Sequence, residues 1–283
     1  MKNIFITGAT SGIGLVAACE LASKGNCVWA LARTEQKGKE LQNHYKTYYS
    51  KGRGKIEIVL GDLSSFDSVV EACKQIKGST VCVDMIINNA GIWNFSYRES
   101  KDKIEETLQV NVLSSLLIIH LLFDVLAKSK EPKIIFAASG LHQGEINFSN
   151  LEFKKDFSGF RAYRQSKLGV ILLCRLLAKR LEKHNVGVYC EHPGLVNTKL
   201  GRDANWFSNL FFRILGSSPE KGAETIIYLA QEENTKLISG EYYAKKKVKK
   251  ITPQSYDMKV AEKLLQTLKP YLAKYLTSLS ILD

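Results

Sequence analysis

The sequence has few prolines and no segment that would divide it into domains. Only 5 of its 283 residues are proline, and no stretch rich in proline, glycine or serine and no repeat interrupts the chain. Linkers and low-complexity segments are recognised by such compositions. With 45% apolar and 24% charged residues, the chain can bury a proper core. We therefore expect a single domain over residues 1–283.

The sequence also lacks an apolar run as long as a membrane span. Its most apolar stretch, residues 116–123, is followed by Asp124 and is far shorter than the ~20 residues that a span needs. A central helix packed on a sheet explains this stretch better. The chain begins with a strand-like segment, so no signal peptide is expected before it. These features predict a cytoplasmic protein.

Metal-ligand and disulfide patterns are missing as well. The six cysteines stand among apolar neighbours, and no Cys-x-x-Cys pair occurs. They are Cys19, Cys27, Cys73, Cys82, Cys174 and Cys190. No group of His, Cys, Asp and Glu has the spacing of metal ligands. We expect buried, reduced thiols and no metal.

Acidic residues are outnumbered, 28 against 40 basic ones, which leaves a net charge of +12 and a pI near 9.3. The densest basic run is residues 245–250. No recognition motif accompanies the charge, so no nucleic-acid partner is expected. Two interpretations stay open: a solvated basic face, or peripheral contact with an anionic membrane surface.

Strand-like apolar runs alternate with longer helical segments along the whole chain, which is typical of a parallel α/β sheet. The predicted strands lie near residues 3–7, 27–31, 55–60, 84–88, 133–138, 187–191 and 240–243. The predicted helices lie near residues 12–24, 36–48, 66–77, 102–128, 162–184, 219–231 and 256–275.

A glycine turn joins the first strand to the first helix. The strand-like run ends at Thr7, and Gly8-Ala9-Thr10-Ser11-Gly12-Ile13-Gly14 leads directly into a helical segment. Free N–H groups at the start of a helix bind anions, and missing Cβ atoms let a phosphate approach. The arrangement predicts a site for the pyrophosphate of a dinucleotide.

A second motif pairs Tyr163 with Lys167. Residues four apart share one face of a helix. An ammonium about 4 Å from a phenol would bring the phenol pKa down towards the range of a general acid or base. Taken alone, the pair is equally well explained by an amphipathic face with a lysine that reaches to solvent.

With both motifs in one chain, the sequence resembles the short-chain dehydrogenase/reductase family over residues 3 to 243. Further segments are similar to that family in order and spacing: Asn88-Asn89-Ala90-Gly91 after the fourth strand, Asn111, Ser139 at the end of the fifth strand, and Pro193-Gly194-Leu195-Val196-Asn197-Thr198. Leu31-Ala32-Arg33, His192-Pro193-Gly194 and residues 159–168 look most like its retinol dehydrogenase-like branch.

The resemblance implies a Rossmann-type, doubly wound parallel sheet of about seven strands with helices on both faces. It implies a proton donor or acceptor in Tyr163, support of that residue by Lys167, a hydrogen bond from Ser139 to the substrate oxygen, and a proton relay through Asn111. The implied cofactor contacts are Gly8, Thr10, Ser11, Gly12, Ile13, Gly14, Arg33, Asp62, Leu63, Asn89, Ala90, Gly91, Tyr163, Lys167, Pro193, Gly194, Val196 and Thr198.

Cofactor preference can be argued from the end of the second strand. An acidic residue there would bind the ribose hydroxyl of NAD, but this chain has Arg33, followed by Thr34 and Lys37. Since a guanidinium clamps a phosphate, we expect NADP(H) to be preferred over NAD(H).

The substrate is expected to be an apolar carbonyl or alcohol, such as a retinoid, a long-chain aldehyde, a steroid or a quinone. Aromatic residues after Thr198, in a lid predicted at about residues 198–216, suggest this, although the same stripe would suit a lid or dimer helix packed on the core. The predicted pocket residues are Trp93, Leu141, His142, Leu195, Trp206 and Leu210. His142 and His192 are interpreted as structural, because Tyr163 already fills the acid/base role.

A redox sensor that binds NADP without meaningful turnover is the alternative to an enzyme. The helices near residues 102–128 and 162–184 are those through which the family usually dimerises, so a homodimer is a further expectation. A helical extension is expected over about residues 254–283.

Overall fold

The structure is a computed structural model that describes residues 1–194 and 218–276. Its strands are β1 (Asn3–Ile6), β2 (Cys27–Ala32), β3 (Lys55–Leu60), β4 (Met85–Asn88), β5 (Lys133–Ala137), β6 (Gly187–His192), β7 (Tyr242–Ala244) and β8 (Lys247–Val248). The longer helices are α1 (Gly12–Ser23), α2 (Glu35–Tyr48), α3 (Phe66–Ser79), α4 (Glu106–Leu126), α5 (Gly159–Leu181), α6 (Pro219–Gln231) and α7 (Met258–Leu272).

The eight strands form one sheet in the order β3-β2-β1-β4-β5-β6-β7-β8. Pairing from β3 to β7 is parallel throughout. The strand order reverses between β1 and β4, and ligands of such sheets bind outside the carboxyl ends of the strands at this point. The expected doubly wound α/β fold is confirmed.

An eighth strand was not predicted. β8 pairs antiparallel with β7 through a tight turn in which Lys245 and Lys246 have positive φ angles of 51° and 62°. Such hairpin turns are usually signalled by Asn or Gly. Because lysines occupy both positions, the sequence carried no turn signal, and the basic run 245–250 was not recognised as a hairpin.

Apolar residues are buried on both sides of the sheet. All six residues of β2 are buried, as expected for a parallel strand covered on both faces. One core packs under α3, α4, α5 and α7, and the other under α1, α2 and α6. This arrangement leaves the carboxyl edge of the strands to form a site.

α4 begins at Glu106, four residues later than predicted. The buried Glu105 carboxylate accepts hydrogen bonds from the N–H groups of Thr107 and Leu108 and so caps the helix there. In the described part of the chain, α4 is the one helix long and apolar enough to cross a membrane, but 78% of its apolar window is buried inside the domain. Its composition is therefore accounted for by packing in the core.

The C-terminal helix α7 lies against α5. Leu264, Leu265 and Leu268 join the apolar core under α5, and an ion pair links Arg180 to Glu262. The segment after residue 243 thus covers the helix on which Tyr163 and Lys167 stand.

Candidate active site

The turn after β1 requires glycine at two of its positions. Gly8 has a φ of 68°, and a Cβ added to Gly14 would lie 2.2 Å from the carbonyl oxygen of Gly8. A side chain at either position would be strained or would clash with backbone. The start of α1 is therefore drawn tightly against the end of β1.

The turn after β4 holds this glycine turn in place. Asn89 donates from Nδ2 to the carbonyl oxygens of Thr7 (2.9 Å) and Gly8 (3.3 Å). The Ala90 N–H donates to the Thr7 hydroxyl at 3.0 Å. Two segments that were predicted to contact one cofactor are thus hydrogen-bonded to each other.

The start of α1 fits an anionic group. Ser11 precedes the helix in an extended conformation and makes no side-chain capping bond, and the first turn carries no acidic residue. The first N–H groups of a helix lack partners within it and favour negative charge. A cradle in which a Cβ would clash, at the N-terminus of a helix, fits the pyrophosphate of a dinucleotide.

The three residues predicted near a 2′-phosphate differ in their surroundings. Arg33 is exposed at the end of β2. The Thr34 hydroxyl instead caps α2 by accepting from the Lys37 N–H at 3.3 Å, and the Lys37 ammonium pairs with Glu40. The Thr34 and Lys37 side chains thus have partners within α2.

Asp62 and Leu63 follow β3 in the expected place. The Asp62 carboxylate accepts from the Ser64 N–H and hydroxyl and pairs with Lys101 at 3.1 Å. The Leu63 carbonyl accepts from the Ser114 hydroxyl at 2.6 Å. Both residues are held firmly at the carboxyl edge of the sheet.

Asn111 stands in a π-helical segment of α4, Gln109–Leu113. Its side chain accepts from the Ile92 N–H (2.8 Å) and donates to the Ile92 carbonyl (3.0 Å) and to the Ser166 hydroxyl (2.9 Å). A π-helical turn often marks a functional position. Here it places Asn111 within hydrogen-bond distance of both Ile92, which follows Gly91, and Ser166 on α5.

Lys167 is buried at the carboxyl end of β5. Its Nζ donates to the Ala137 carbonyl at 2.8 Å and lies 5.7 Å from the centre of the Tyr163 ring. Burial lowers the pKa of Lys167 to about 8, against the opposing charge of Glu191. The ammonium is therefore positioned by the strand that carries Ser139 at its end.

Tyr163 is 5% exposed, and its ring stacks on Trp93 with centres 4.7 Å apart. Burial raises the pKa of the phenol, and a hydrogen bond with Ser139 offsets part of the rise. The sequence led us to expect that Lys167 lowers this pKa, but in this structure burial is the larger influence and Ser139 is the group that opposes it. The phenol is protonated at neutral pH.

The predicted substrate-pocket residues fall into two groups. Trp93, Leu141 and His142 lie beside Tyr163 and Ser139: the Leu141 N–H donates to the Ser139 hydroxyl at 3.0 Å, and His142 Nδ1 lies 2.8 Å from the Ser139 carbonyl. The other predicted residues lie outside the described residues, as does the lid at about residues 198–216. They are the predicted pocket residues Leu195, Trp206 and Leu210. The predicted cofactor contacts Val196 and Thr198 lie outside the described residues as well.

Glu191 was not singled out from the sequence. Its side chain is fully buried on β6, and neither carboxylate oxygen has a hydrogen-bond partner in residues 1–194 and 218–276. Burial raises its pKa well above the usual range, opposed by Lys167. The available signal was an acidic residue in a mostly apolar strand, two positions before Pro193.

The cysteines and the potential metal ligands can be located in the described residues. The six cysteines are free, and five of them are buried. In the described ranges, no group of three or more His, Cys, Asp and Glu residues is arranged to hold a metal ion.

A doubly wound sheet with a glycine turn at its switch point defines a dinucleotide-binding α/β protein. The sequence pattern of the short chain dehydrogenase family matches residues 2–207. The chain belongs to this family, whose members are oxidoreductases.

Curated relatives agree with this assignment. Retinol dehydrogenase 14 of Mus musculus is 33% identical over 278 residues, 93% of this chain and 83% of the relative. Retinol dehydrogenase 12 of Homo sapiens is 31% identical over 266 residues, 93% of this chain and 84% of the relative.

Solved structures share the fold. A crystal structure of an uncharacterised protein from Mycobacterium paratuberculosis has a TM-score of 0.78 at 24% identity and covers 96% of this chain and 94% of its own. The RhlG–NADP complex of Pseudomonas aeruginosa has a TM-score of 0.69 at 23% identity, with 86% and 94% covered.

Proposed function

We propose that this protein is an NADP(H)-dependent oxidoreductase that interconverts an apolar carbonyl compound and its alcohol. The proposal depends chiefly on one observation: Asn111, Ser139, Tyr163 and Lys167 converge at the carboxyl edge of the sheet, beside the glycine turn. A bound nicotinamide cofactor would supply or accept the hydride.

Tyr163 acts as the general acid for carbonyl reduction. Its raised pKa keeps the phenol protonated at neutral pH, so that it can donate to the oxygen that gains negative charge. Ser139 supports this step. Its oxygen already accepts from the Leu141 N–H, which leaves the hydroxyl hydrogen to stabilise the same substrate oxygen.

Lys167 and Asn111 support Tyr163 through charge and hydrogen bonds. The buried Lys167 ammonium places positive charge near the reacting groups, where a low dielectric strengthens its effect. Asn111 holds the Ile92 backbone and the Ser166 hydroxyl, and Ser166 in turn donates to the Tyr163 carbonyl at 2.8 Å. We assign Asn111 to a proton relay that runs through water to Lys167.

Arg33 supports a preference for NADP(H). It stands exposed at the end of β2, and no acidic residue occupies the positions directly around it, Ala32 and Thr34. The glycine turn, the start of α1, the Asn89-Ala90-Gly91 turn and Pro193-Gly194 would hold the rest of the cofactor.

An aromatic cluster supports an apolar substrate. The Trp93 ring stacks on Tyr163 and on Phe95, with ring centres 4.7 Å and 5.3 Å apart, and the Phe160 ring lies 6.0 Å away. Phe95 and Phe160 are 42% and 45% exposed, so apolar surface extends from the acid towards solvent. The retinol dehydrogenase relatives point to the same substrate class.

We further propose a cytoplasmic enzyme with peripheral membrane contact. Each residue from Lys245 to Lys250 is exposed, and Ala244 pairs with His192 at the carboxyl edge of the sheet. The basic hairpin therefore borders the site, where anionic lipid would bring an apolar substrate close.

The experiment is NADPH and NADH oxidation with retinal, long-chain aldehydes, steroid ketones and quinones. We expect turnover that prefers NADPH and that Tyr163→Phe removes. Arg33→Gln should raise the KM for NADPH about tenfold or more and leave NADH unchanged. Lys37→Gln is the matched control, because Lys37 already pairs with Glu40. Tight NADPH binding without turnover of any substrate would favour the redox sensor instead.

A further inference from the structure

Two histidines hold the same peptide group next to Ser139. The carbonyl of Ser139 and the N–H of Gly140 belong to one peptide unit. His142 Nδ1 lies 2.8 Å from that carbonyl oxygen, and the Gly140 N–H donates to His192 Nδ1 at 3.1 Å. We propose that His142 and His192 are positioning residues that orient Ser139 by holding both polar ends of this peptide; the proposal rests on the function proposed for Ser139.

The two contacts require opposite tautomers. A carbonyl oxygen only accepts, so His142 must carry its proton on Nδ1. The Gly140 N–H only donates, so His192 must have an unprotonated Nδ1 and carry its proton on Nε2. The contact with Gly140 requires a neutral His192 ring, whereas His142 would carry an Nδ1–H in its neutral or its charged form. Burial lowers the pKa of both rings, that of His192 to about 4, which favours the neutral form of each.

The surroundings leave the rings little freedom. His142 is 5% exposed, and the Tyr242 ring lies 5.5 Å from its ring and 6.3 Å from that of His192. A Cβ on Gly140 would come within 3.1 Å of the His192 ring, so a side chain there would press against the imidazole. One tyrosine of β7 thus supports both histidines.

The consequence for Ser139 is geometric. Rotation of the 139–140 peptide would move the Ser139 hydroxyl and the Leu141 N–H that donates to it. A misplacement of about 1 Å near reacting atoms can slow a reaction about 100-fold. The histidines thus contribute to catalysis through Ser139 and need no contact with the substrate.

The test uses a double-mutant cycle. His142→Leu and His192→Leu remove one hydrogen bond each. His142→Asn and His192→Asn put an amide donor or acceptor near the position of Nδ1. We expect each leucine variant to lower kcat about 10- to 100-fold with an unchanged Kd for NADPH, and each asparagine variant to recover most of the loss.

In a Ser139→Ala background the same leucine substitutions should change kcat less than about threefold, because the group that they position is gone. Equal losses in both backgrounds, or asparagine variants as slow as the leucine variants, would overturn the proposal. Retention of kcat by the leucine variants would overturn it as well.

A measurement without turnover separates this proposal from the proposed function. The chain has 5 histidines, so ¹⁵N–¹H spectra of the imidazoles can be assigned with the two asparagine variants. We expect an Nδ1–H tautomer for His142 and an Nε2–H tautomer for His192. The reverse tautomer at either ring would overturn the proposed role of the two histidines even if the enzyme is active. If the expected tautomers are found but no carbonyl is turned over, the two histidines still hold the peptide, and the result counts against the proposed function.

Discussion

At Tyr163 and Lys167, burial affects the two residues in opposite directions. It raises the pKa of the phenol and lowers the pKa of the ammonium, in each case because the charged form is poorly solvated. At neutral pH the phenol therefore keeps its proton, and the lysine still carries its charge. This combination suits proton donation to a carbonyl oxygen better than proton removal from an alcohol.

The rate of carbonyl reduction should decline in alkali because of Lys167. Its pKa is lowered to about 8, so its charge is present below that pH and disappears as the pH rises through it. We expect kcat/KM to be level near neutrality and to fall above about pH 8, measured with NADPH and one carbonyl substrate. Lys167→Arg keeps the charge and should be slower but without this decline. A wild-type rate that stays level to pH 10 would contradict the assignment.

Glu191 and Glu105 are both buried, but their carboxylates differ in hydrogen bonding. Glu105 accepts two backbone N–H bonds, whereas the Glu191 oxygens have no partner in the described part of the chain. Because an unsatisfied buried group costs about 1–3 kcal/mol, Glu191→Leu should raise the free energy of unfolding by about that amount near pH 8. Glu105→Leu, the matched control, should lower it by about 1 kcal/mol.

The stabilisation expected from Glu191→Leu should depend on pH. Its folded-state pKa is raised, so the folded state favours the protonated acid, and stability is lost as the pH rises through that pKa. The gain from Glu191→Leu, measured by urea denaturation, should therefore be smaller near pH 5 than near pH 8. An equal gain at both pH values would mean that Glu191 keeps an ordinary pKa.

Among the secondary-structure elements, β1 and α1 meet backbone against backbone at the glycine turn. A Cβ at Gly14 would meet the Gly8 backbone, whereas a Cβ at Gly78 in α3 would meet nothing within 4 Å. Gly14→Ala should lower the free energy of unfolding by about 1–3 kcal/mol and weaken NADPH binding.

Gly78→Ala is the matched control and should raise stability by about 0.5–1 kcal/mol. Denaturation and NADPH titration of both variants check the prediction. Unchanged NADPH binding in Gly14→Ala would show that the close approach of these two segments is not needed for the cofactor.

The pairing of α7 with α5 bears on assembly. Dimerisation through α5, expected from the family, would have to accommodate α7, which occupies part of that helix. The sequence did not indicate this, because the amphipathic pattern of α7 shows that one face is buried and not what covers it.

For the whole molecule, the densest basic run of the sequence, residues 245–250, lies at one edge of the sheet. β8 and its turn lie at the opposite edge from β3. We expect the protein to co-sediment with anionic liposomes at low salt and to be released at high salt, because salt screens exposed charges.

Lys245→Glu with Lys247→Glu should abolish this binding. Lys46→Glu with Lys51→Glu makes the same charge change at exposed positions on and just after α2 and should have little effect. Equal losses in the two double variants would indicate attraction by net charge alone, and no binding to liposomes at low salt would refute the membrane contact.

The amino-acid sequence by itself determined the order of strands and helices, the glycine turn at Gly8 and the positions of Ser139, Tyr163 and Lys167. These features depend on local preferences and short spacings, which a chain expresses wherever it folds. The β7–β8 hairpin was missed because its turn residues are lysines.

Only the tertiary structure decided how the site is tuned. Residues far apart in the chain meet where Trp93 stacks on Tyr163 and where His192 contacts Gly140. The burial of Glu191 likewise depends on elements that are distant in the sequence. Sheet register and helix packing set these distances, and desolvation follows from them. For that reason the sequence predicted which groups would do the chemistry, but it did not predict the burial that raises the pKa of Tyr163.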